Sequence, residues 1–300
     1  MTAKDSNQTK ALLATILCHV LWGFSFMASR TALNHGTVFQ LLSHRFLAAF
    51  LLMNLVLLSR RVRVDLKNKP VGLLLLLGLM EPVVYFIGEQ YGILHSSTIF
   101  SGVMIAMIPI AATFAAAPFL GEKPTAGQLV FSLLSVGGVI GIGLLSRSSG
   151  TLDWIGLISL VIAVAAASAY SLLSRSLSDS FSPFERAWAM LGLGAVIFTG
   201  IALFQVQGNF SAYLAPLREP AYLGAILYLA PIASVVCYFF SGYALTYLSV
   251  ARESVFSNLT TAVSVFAGAV LLKEPFSWLS LVCCALILFG IWGVQRTSPE

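Results

Sequence analysis

The sequence predicts an all-α membrane protein of ten transmembrane helices, arranged as two inverted-topology repeats of five helices each. Three observations lead there: apolar runs too long for a soluble core, a sided distribution of Lys and Arg, and self-similarity at an offset of 152 residues. Of the 300 residues, 58% are hydrophobic and only 10% are charged. Soluble domains average roughly 25% charged residues, so this chain cannot cover a water-facing surface of its size. A helix needs about 20 apolar residues to cross a bilayer. Runs of that length repeat down the whole chain and leave no room for a soluble domain.

Polar breaks place helices near 11–33, 37–59, 70–94, 97–120 and 125–145, then near 152–175, 183–206, 220–247, 250–272 and 276–295. The breaks include Asn34-His35-Gly36, the basic stretch Arg60 to Lys69, Gly121 to Pro124, and Lys273 to Pro275. The N-terminal run from Ala11 to Ser29 is longer than a secretory signal core and carries His19 and Trp22, so a retained first helix is expected. Twelve of the seventeen Lys and Arg fall on the N-terminal side of these spans and four on the other, with Arg45 inside the second span. Basic loops stay in the cytoplasm. Both termini are therefore expected there, in a multi-pass protein of the cytoplasmic (inner) membrane.

The net charge of +5 does not imply nucleic acid, because the basic residues sit in short loops without a continuous stripe. Cys18, Cys237, Cys283 and Cys284 all lie in apolar runs and lack metal-ligand spacing, so they read as small buried hydrophobes. No metal site or cofactor is expected.

Shifting the chain by 152 residues lays 91–142 over 243–294 without a gap, with thirteen of 52 positions identical. Tyr91/Tyr243, Glu122/Glu274, Gly138/Gly290 and Gly141/Gly293 are among them. Spans four and five thus correspond to nine and ten. The halves become 1–146 and 147–300, one membrane-embedded unit. Five helices per half is an odd number, which turns the second half over relative to the first. Two mirrored bundles can rock about a central site and open it to either side, as secondary transporters do.

These residues also resemble a known family. Tyr91, Pro109, Leu120-Gly121-Glu122 and Gly138, repeated as Tyr243, Leu272-Lys273-Glu274-Pro275 and Gly290, resemble the drug/metabolite transporter superfamily and its duplicated EamA-type modules. Arg45 in Ser43-His44-Arg45-Phe46-Leu47 sits where such modules carry an Arg in their second helix, a structural position. In overall character the chain looks like bacterial exporters of aromatic and other neutral amino acids, of the YddG type. The resemblance implies a cavity lined by spans one, three, four, six, eight and nine, with the second helix of each module and spans five and ten peripheral. The module's fourth-helix Pro stands as Pro109 but is Thr261 in the second half, so the two hinges are expected to differ.

Charges inside a bilayer cost up to roughly 3 kcal/mol each and usually face an internal cavity. Gly78, Glu81, Tyr85, Glu89 and Gly92 recur at spacings of three and four in the third span, which puts two carboxylates and a phenol on one face of a regular helix. Either carboxylate can meet a substrate amino group or carry a proton. The plainer alternative is that each is protonated, or paired with Arg45 or a hydroxyl, and ties helices together. Ser254, Ser257, Asn258, Thr261 and Ser264 form one polar stripe on the ninth span, which serves either a solute or helix packing. Trp22, Tyr85 and Tyr238 offer aromatic surface for a flat apolar solute. The substrate-binding candidates are Trp22, Glu81, Tyr85, Glu89, Tyr238, Ser254 and Asn258. Pro82, Pro109 and Pro231 lie near mid-depth in three spans and are the candidate hinges.

No H-E-x-x-H motif, nucleophile elbow or Walker lysine appears, so no catalytic residue is assigned. The expected activity is secondary transport, by alternating access, of amino acids or similar small metabolites, with the lipid bilayer as the other partner and no ATPase subunit implied. A passive solute channel, or an intramembrane enzyme using Glu81 and Glu89, is the alternative.

Overall fold

The structure, a computed structural model, describes residues 3–58, 62, 64–120, 125–177, 179–247 and 256–297. The regular elements among them are helical. They are α1 (Ala3–Leu33), α2 (Val38–Leu58), α3 (Val71–Gly78), α4 (Tyr85–Leu94), α5 (Thr98–Ile105), α6 (Ile108–Leu120), α7 (Ala126–Ser148), α8 (Trp154–Ser176) and α9 (Pro183–Gln205). They continue as α10 (Phe210–Leu214), α11 (Pro220–Tyr228), α12 (Cys237–Tyr247), α13 (Ser257–Phe266) and α14 (Trp278–Arg296). Wider π-helical turns join α3 to α4 (Leu79–Val84), join α11 to α12 (Leu229–Val236) and extend α13 (Ala267–Leu271).

Among the described residues, seven helices are long and apolar enough to cross a membrane, and three shorter apolar helices accompany them at Thr98–Ala112, Asn258–Leu271 and Trp278–Val294. Large apolar side chains such as Leu133, Val196 and Phe204 point outward. Water would make such a surface an aggregation site; lipid makes it ordinary.

Helix starts are set by side chains that satisfy the free N–H groups of the first turn. Reciprocal caps form between Thr37 and Gln40, Thr125 and Gln128, Ser182 and Glu185, and Ser277 and Ser280. The caps of α7 and α14 lie 152 residues apart, the offset of the sequence repeat. The segment between α9 and α11, read from sequence as a plain break, folds into α10 and a short 3-10 turn.

The most extensive interhelical contacts pair α7 with α14, α2 with α9, α4 with α8, and α1 with α12. Exchanging the two sequence halves maps this set onto itself. The α7–α14 contact is reciprocal in detail. A Cβ at Gly138 would meet Ile287 and the Cys283 carbonyl at 2.7 and 2.8 Å, and one at Gly290 would meet Ser135 and the Phe131 carbonyl, both at 2.7 Å. Phe131 and Ser135 are the 152-residue counterparts of Cys283 and Ile287. Such self-complementary contact is the mark of a two-fold relation. The two helices run antiparallel, since the Thr125 hydroxyl at the start of α7 donates to the Thr297 carbonyl just past the end of α14, at 3.2 Å.

The ends of the bundle also sort as the spans require. Arg30, the 94–97 turn, the 150–153 turn and Glu274 line one cleft at one end. At the other end, Lys69 pairs with Glu185 at 2.9 Å.

One sequence expectation needs correction. The third span is not one regular helix, because Glu81 has extended backbone (φ −137°, ψ 116°) and Pro82 lies inside the π turn. Proline withholds an N–H and crowds the preceding turn, so the helix breaks there. The single face carrying Gly78 through Gly92 is thereby split. Gly78 abuts Leu193 of α9, whereas Gly88 and Gly92 abut Ser159 and Leu160 of α8.

Gly138→Ala and Gly290→Ala should each lower thermal stability in detergent by about 1–3 kcal/mol, the usual cost of overpacking. Gly137→Ala, whose Cβ would meet nothing within 4 Å, should not. Melting curves of the three variants check this.

Candidate functional site

The polar side chains of the membrane interior meet where α1, the α3–α4 break, α8 and the α11–α12 break converge. At the break in the third span Glu81 meets α12. There the Tyr238 hydroxyl donates to Glu81 Oε1 at 2.9 Å. Trp22 packs edge-on against the Tyr238 ring, with centroids 6.0 Å apart, and donates its indole N–H to the Ala233 carbonyl at 2.9 Å. His19, one turn earlier, packs edge-on against Trp22 at 5.4 Å. Its Nδ1 lies 3.0 Å from the Thr260 hydroxyl, which itself donates to the His19 carbonyl. Glu81, Trp22 and Tyr238 are all half-buried. They form an aromatic and carboxylate cluster that a solute between the helices can touch.

Glu89 belongs to a second, drier cluster. It is 5% exposed, and accepts from the Tyr85 hydroxyl at 2.7 Å and the Gln90 amide at 2.8 Å. Arg45 pairs with neither carboxylate. Its Nε donates to Ser234 Oγ at 3.0 Å, and its guanidinium lies over the Phe86 ring at 4.5 Å. The neighbouring Ser43 bonds Thr199 and Tyr213, and His44 bonds Tyr222. Residues 43–45 thus fasten α2 to α9, α10, α11 and the second π turn.

The remaining candidates separate. Asn258 is half-buried with its Oδ1 unpartnered. Ser254 lies outside the described residues. Thr261 and Ser264 are buried, and Ser264 sits directly against Gly102 of α5, so this end of the polar stripe serves packing. Pro82 and Pro231 both lie inside π turns. Pro109 is the second residue of α6, just past the Ala106–Met107 turn that separates α5 from α6. Thr260 and Gln90 take part in the clusters without having been candidates. Thr260 lies beside the predicted polar stripe, and its partner His19 is 241 residues away, so no local pattern marks it.

Among the described residues no three of His, Cys, Asp and Glu gather to hold a metal ion.

The EamA-like transporter family matches the sequence twice, over residues 9–144 and 154–296. The chain belongs to that family. The uncharacterized transporter YcxC of Bacillus subtilis is 32% identical to it, covering 96% of this chain and 93% of its own length. An uncharacterized transporter of Archaeoglobus fulgidus is 25% identical over 96% of this chain and 99% of its own. A probable terminal-alkyne amino-acid exporter of Streptantibioticus cattleyicolor is 25% identical over 97% of this chain and 95% of its own. Among solved structures, a crystal structure of a protein superposes with a TM-score of 0.66 at 16% identity, covering 95% of this chain and 96% of that one. It shares the fold. The protein is therefore a multi-pass membrane transporter of the EamA-like family.

In this EamA-like transporter the end cleft, of about 320 Å³, is bordered by the α4–α5 turn, which several side chains hold in place. Arg30 donates to the Ile93, Leu94 and Ser96 carbonyls, and Glu274 accepts from the Thr98 and Ile99 amides at 2.7 and 3.0 Å. His95 pairs with Asp153 at 2.8 Å. The Gly156 N–H and the His95 side chain hold the Asp153 carboxyl below its ordinary value of 3.8. A depressed carboxyl pKa means this tie persists at neutral pH and is lost only as pH falls through the lowered value.

Tyr85→Phe removes one of the two donors to buried Glu89. It should lower thermal stability by about 1–3 kcal/mol, the cost of an unsatisfied buried polar group. Tyr238→Phe, at the half-buried Glu81, should cost less, and melting of the two purified variants measures the difference.

Proposed function

We propose that this EamA-like protein exports aromatic and other neutral amino acids across the cytoplasmic membrane by alternating access. The observation that carries the reading is the Glu81–Tyr238 hydrogen bond beside Trp22. It joins a carboxylate of one half to a phenol of the other in the membrane interior, next to an indole face. The carboxylate accepts a substrate ammonium and the rings accept its side chain. Asn258, with its unpartnered Oδ1, offers a further polar contact, while Glu89 and Tyr85 brace the helix behind the site. That a relative is named a probable amino-acid exporter supports the substrate class.

The seven long and three short apolar helices act as ten spans, with the halves 1–146 and 147–300 inverted and both termini cytoplasmic. The reciprocal, antiparallel α7–α14 contact supports the inversion. The convergence of Arg30, the 94–97 and 150–153 turns and Glu274 at one end supports the count, because each stretch between them must then cross an even number of times. Pro82 and Pro231 sit in the broken third helix of each half and serve as paired hinges; Pro109 hinges the fourth helix of the first half alone.

Purified protein in liposomes should take up labelled tryptophan or phenylalanine saturably, with D-isomers competing poorly. Uptake equal to empty vesicles across a wide amino-acid panel would contradict the substrate class. Glu81→Gln separates two roles of the carboxylate. Counterflow retained with loss of proton-driven flux marks a coupling group, and equal loss of both marks a binding group.

A further inference from the structure

Among the described residues, the buried polar atoms with no hydrogen-bond partner include Arg45 Nη1, Arg186 Nε, His44 Nε2, Gln90 Oε1 and Asn258 Oδ1. Two of these belong to permanent cations; Arg186 stands in the first turn of α9 and gives its Nη1 to Ser174, which leaves Arg45 as the cation in the interior. A guanidinium carries five N–H donors in a fixed plane and stays charged in any protein environment. An Arg kept only to hold helices together would normally close on a nearby carboxylate, because a buried charge without a counter-ion is costly. Here it does not. Arg45 is 3% exposed, held in place by Ser234 and the Phe86 ring, and makes no ion pair among the described residues. The two carboxylates whose charge reaches it, Glu81 and Glu89, are instead engaged by Tyr238, Tyr85 and Gln90.

We infer that Arg45 is the anchor for the carboxylate of a zwitterionic amino acid whose ammonium meets Glu81. The inference rests on the amino-acid reading above and names the substrate group that reading leaves unassigned. The geometry favours it. Ser234, which holds Arg45, and Tyr238, which holds Glu81, are four residues apart, about 6 Å along the helix. The ammonium and carboxylate of one α-amino acid bridge such a gap with a hydrogen bond at each end. Trp22 and Tyr238 supply ring surface beside it for the side chain. Ser234 lies in the π turn Leu229–Val236, so movement of that turn releases the guanidinium toward the solute.

The test measures calorimetric binding of phenylalanine, phenethylamine and 3-phenylpropionate to purified wild type and to Arg45→Gln and Arg45→Lys. Wild type should bind phenylalanine at least tenfold more tightly than either one-charge analogue. In Arg45→Gln the gap between phenylalanine and phenethylamine should close to within about twofold, with phenethylamine unchanged, and Arg45→Lys should keep part of it. Equal binding of phenylalanine and phenethylamine by wild type overturns the assignment even if the variants fail to fold. Equal weakening of all three ligands in Arg45→Gln also overturns it, marking a purely structural Arg. Saturable phenylalanine flux alongside either result leaves the exporter reading standing; no flux or binding of any amino acid removes both.

Discussion

A polar group inside a bilayer has no water to turn to, so it must find its partner within the protein. The contacts between the two halves follow from that constraint. Ser43 bonds Thr199 and Tyr213, His44 bonds Tyr222, Arg45 bonds Ser234, Glu81 bonds Tyr238, Trp22 bonds the Ala233 carbonyl, and His19 bonds Thr260. Every one of these pairs crosses from the first half of the sequence to the second. The lipid-facing surface is left to Leu, Ile, Val and Phe, which gain nothing from pairing with one another in an apolar solvent. The polar seam therefore gives the bundle its specificity, and small residues let it close: Gly138 and Gly290 allow α7 and α14 to touch backbone to backbone.

The same constraint explains why the broken helices sit at the seam. Irregular turns inside a membrane helix leave backbone groups that are met from elsewhere in the protein. In the second half the π turn carrying Pro231 presents the Ala233 carbonyl to the Trp22 indole, and Tyr228, at its edge, donates to the Leu21 carbonyl at 2.6 Å. In the first half the turn carrying Pro82 sets Glu81 across the seam from Tyr238. Breaks of this kind are mechanically soft and chemically exposed at once. In the proposed mechanism hinge and ligand site coincide, because both need backbone that the helix does not fully use.

Much of this was legible in the sequence. The apolar runs, the 152-residue repeat and the prolines of the third and eighth spans all found counterparts in the fold. Caps such as Thr125-x-x-Gln128 and Ser182-x-x-Glu185 follow the S/T-x-x-E/Q pattern and were open to reading. The site was legible as a list of residues but not as a set of pairs. Spacing in the third span grouped Glu81 with Tyr85 and Glu89, since a regular helix was assumed; the extended backbone at Glu81 undid that grouping. Arg45 suggested a partner carboxylate, and its partner is a serine 189 residues away. Pairings of that range depend on how two bundles dock, which no local period encodes.

The account stands on the two halves rocking about the seam, and distances across each face measure this directly. Spin labels at Asn34 and Ser149 report the end bearing the Arg30–Glu274 cleft, and labels at Lys67 and Asp179 report the opposite end. Added phenylalanine should shift the two distance distributions in opposite senses, one end opening as the other closes. Distributions that widen together, or a ligand response confined to one end, would contradict it.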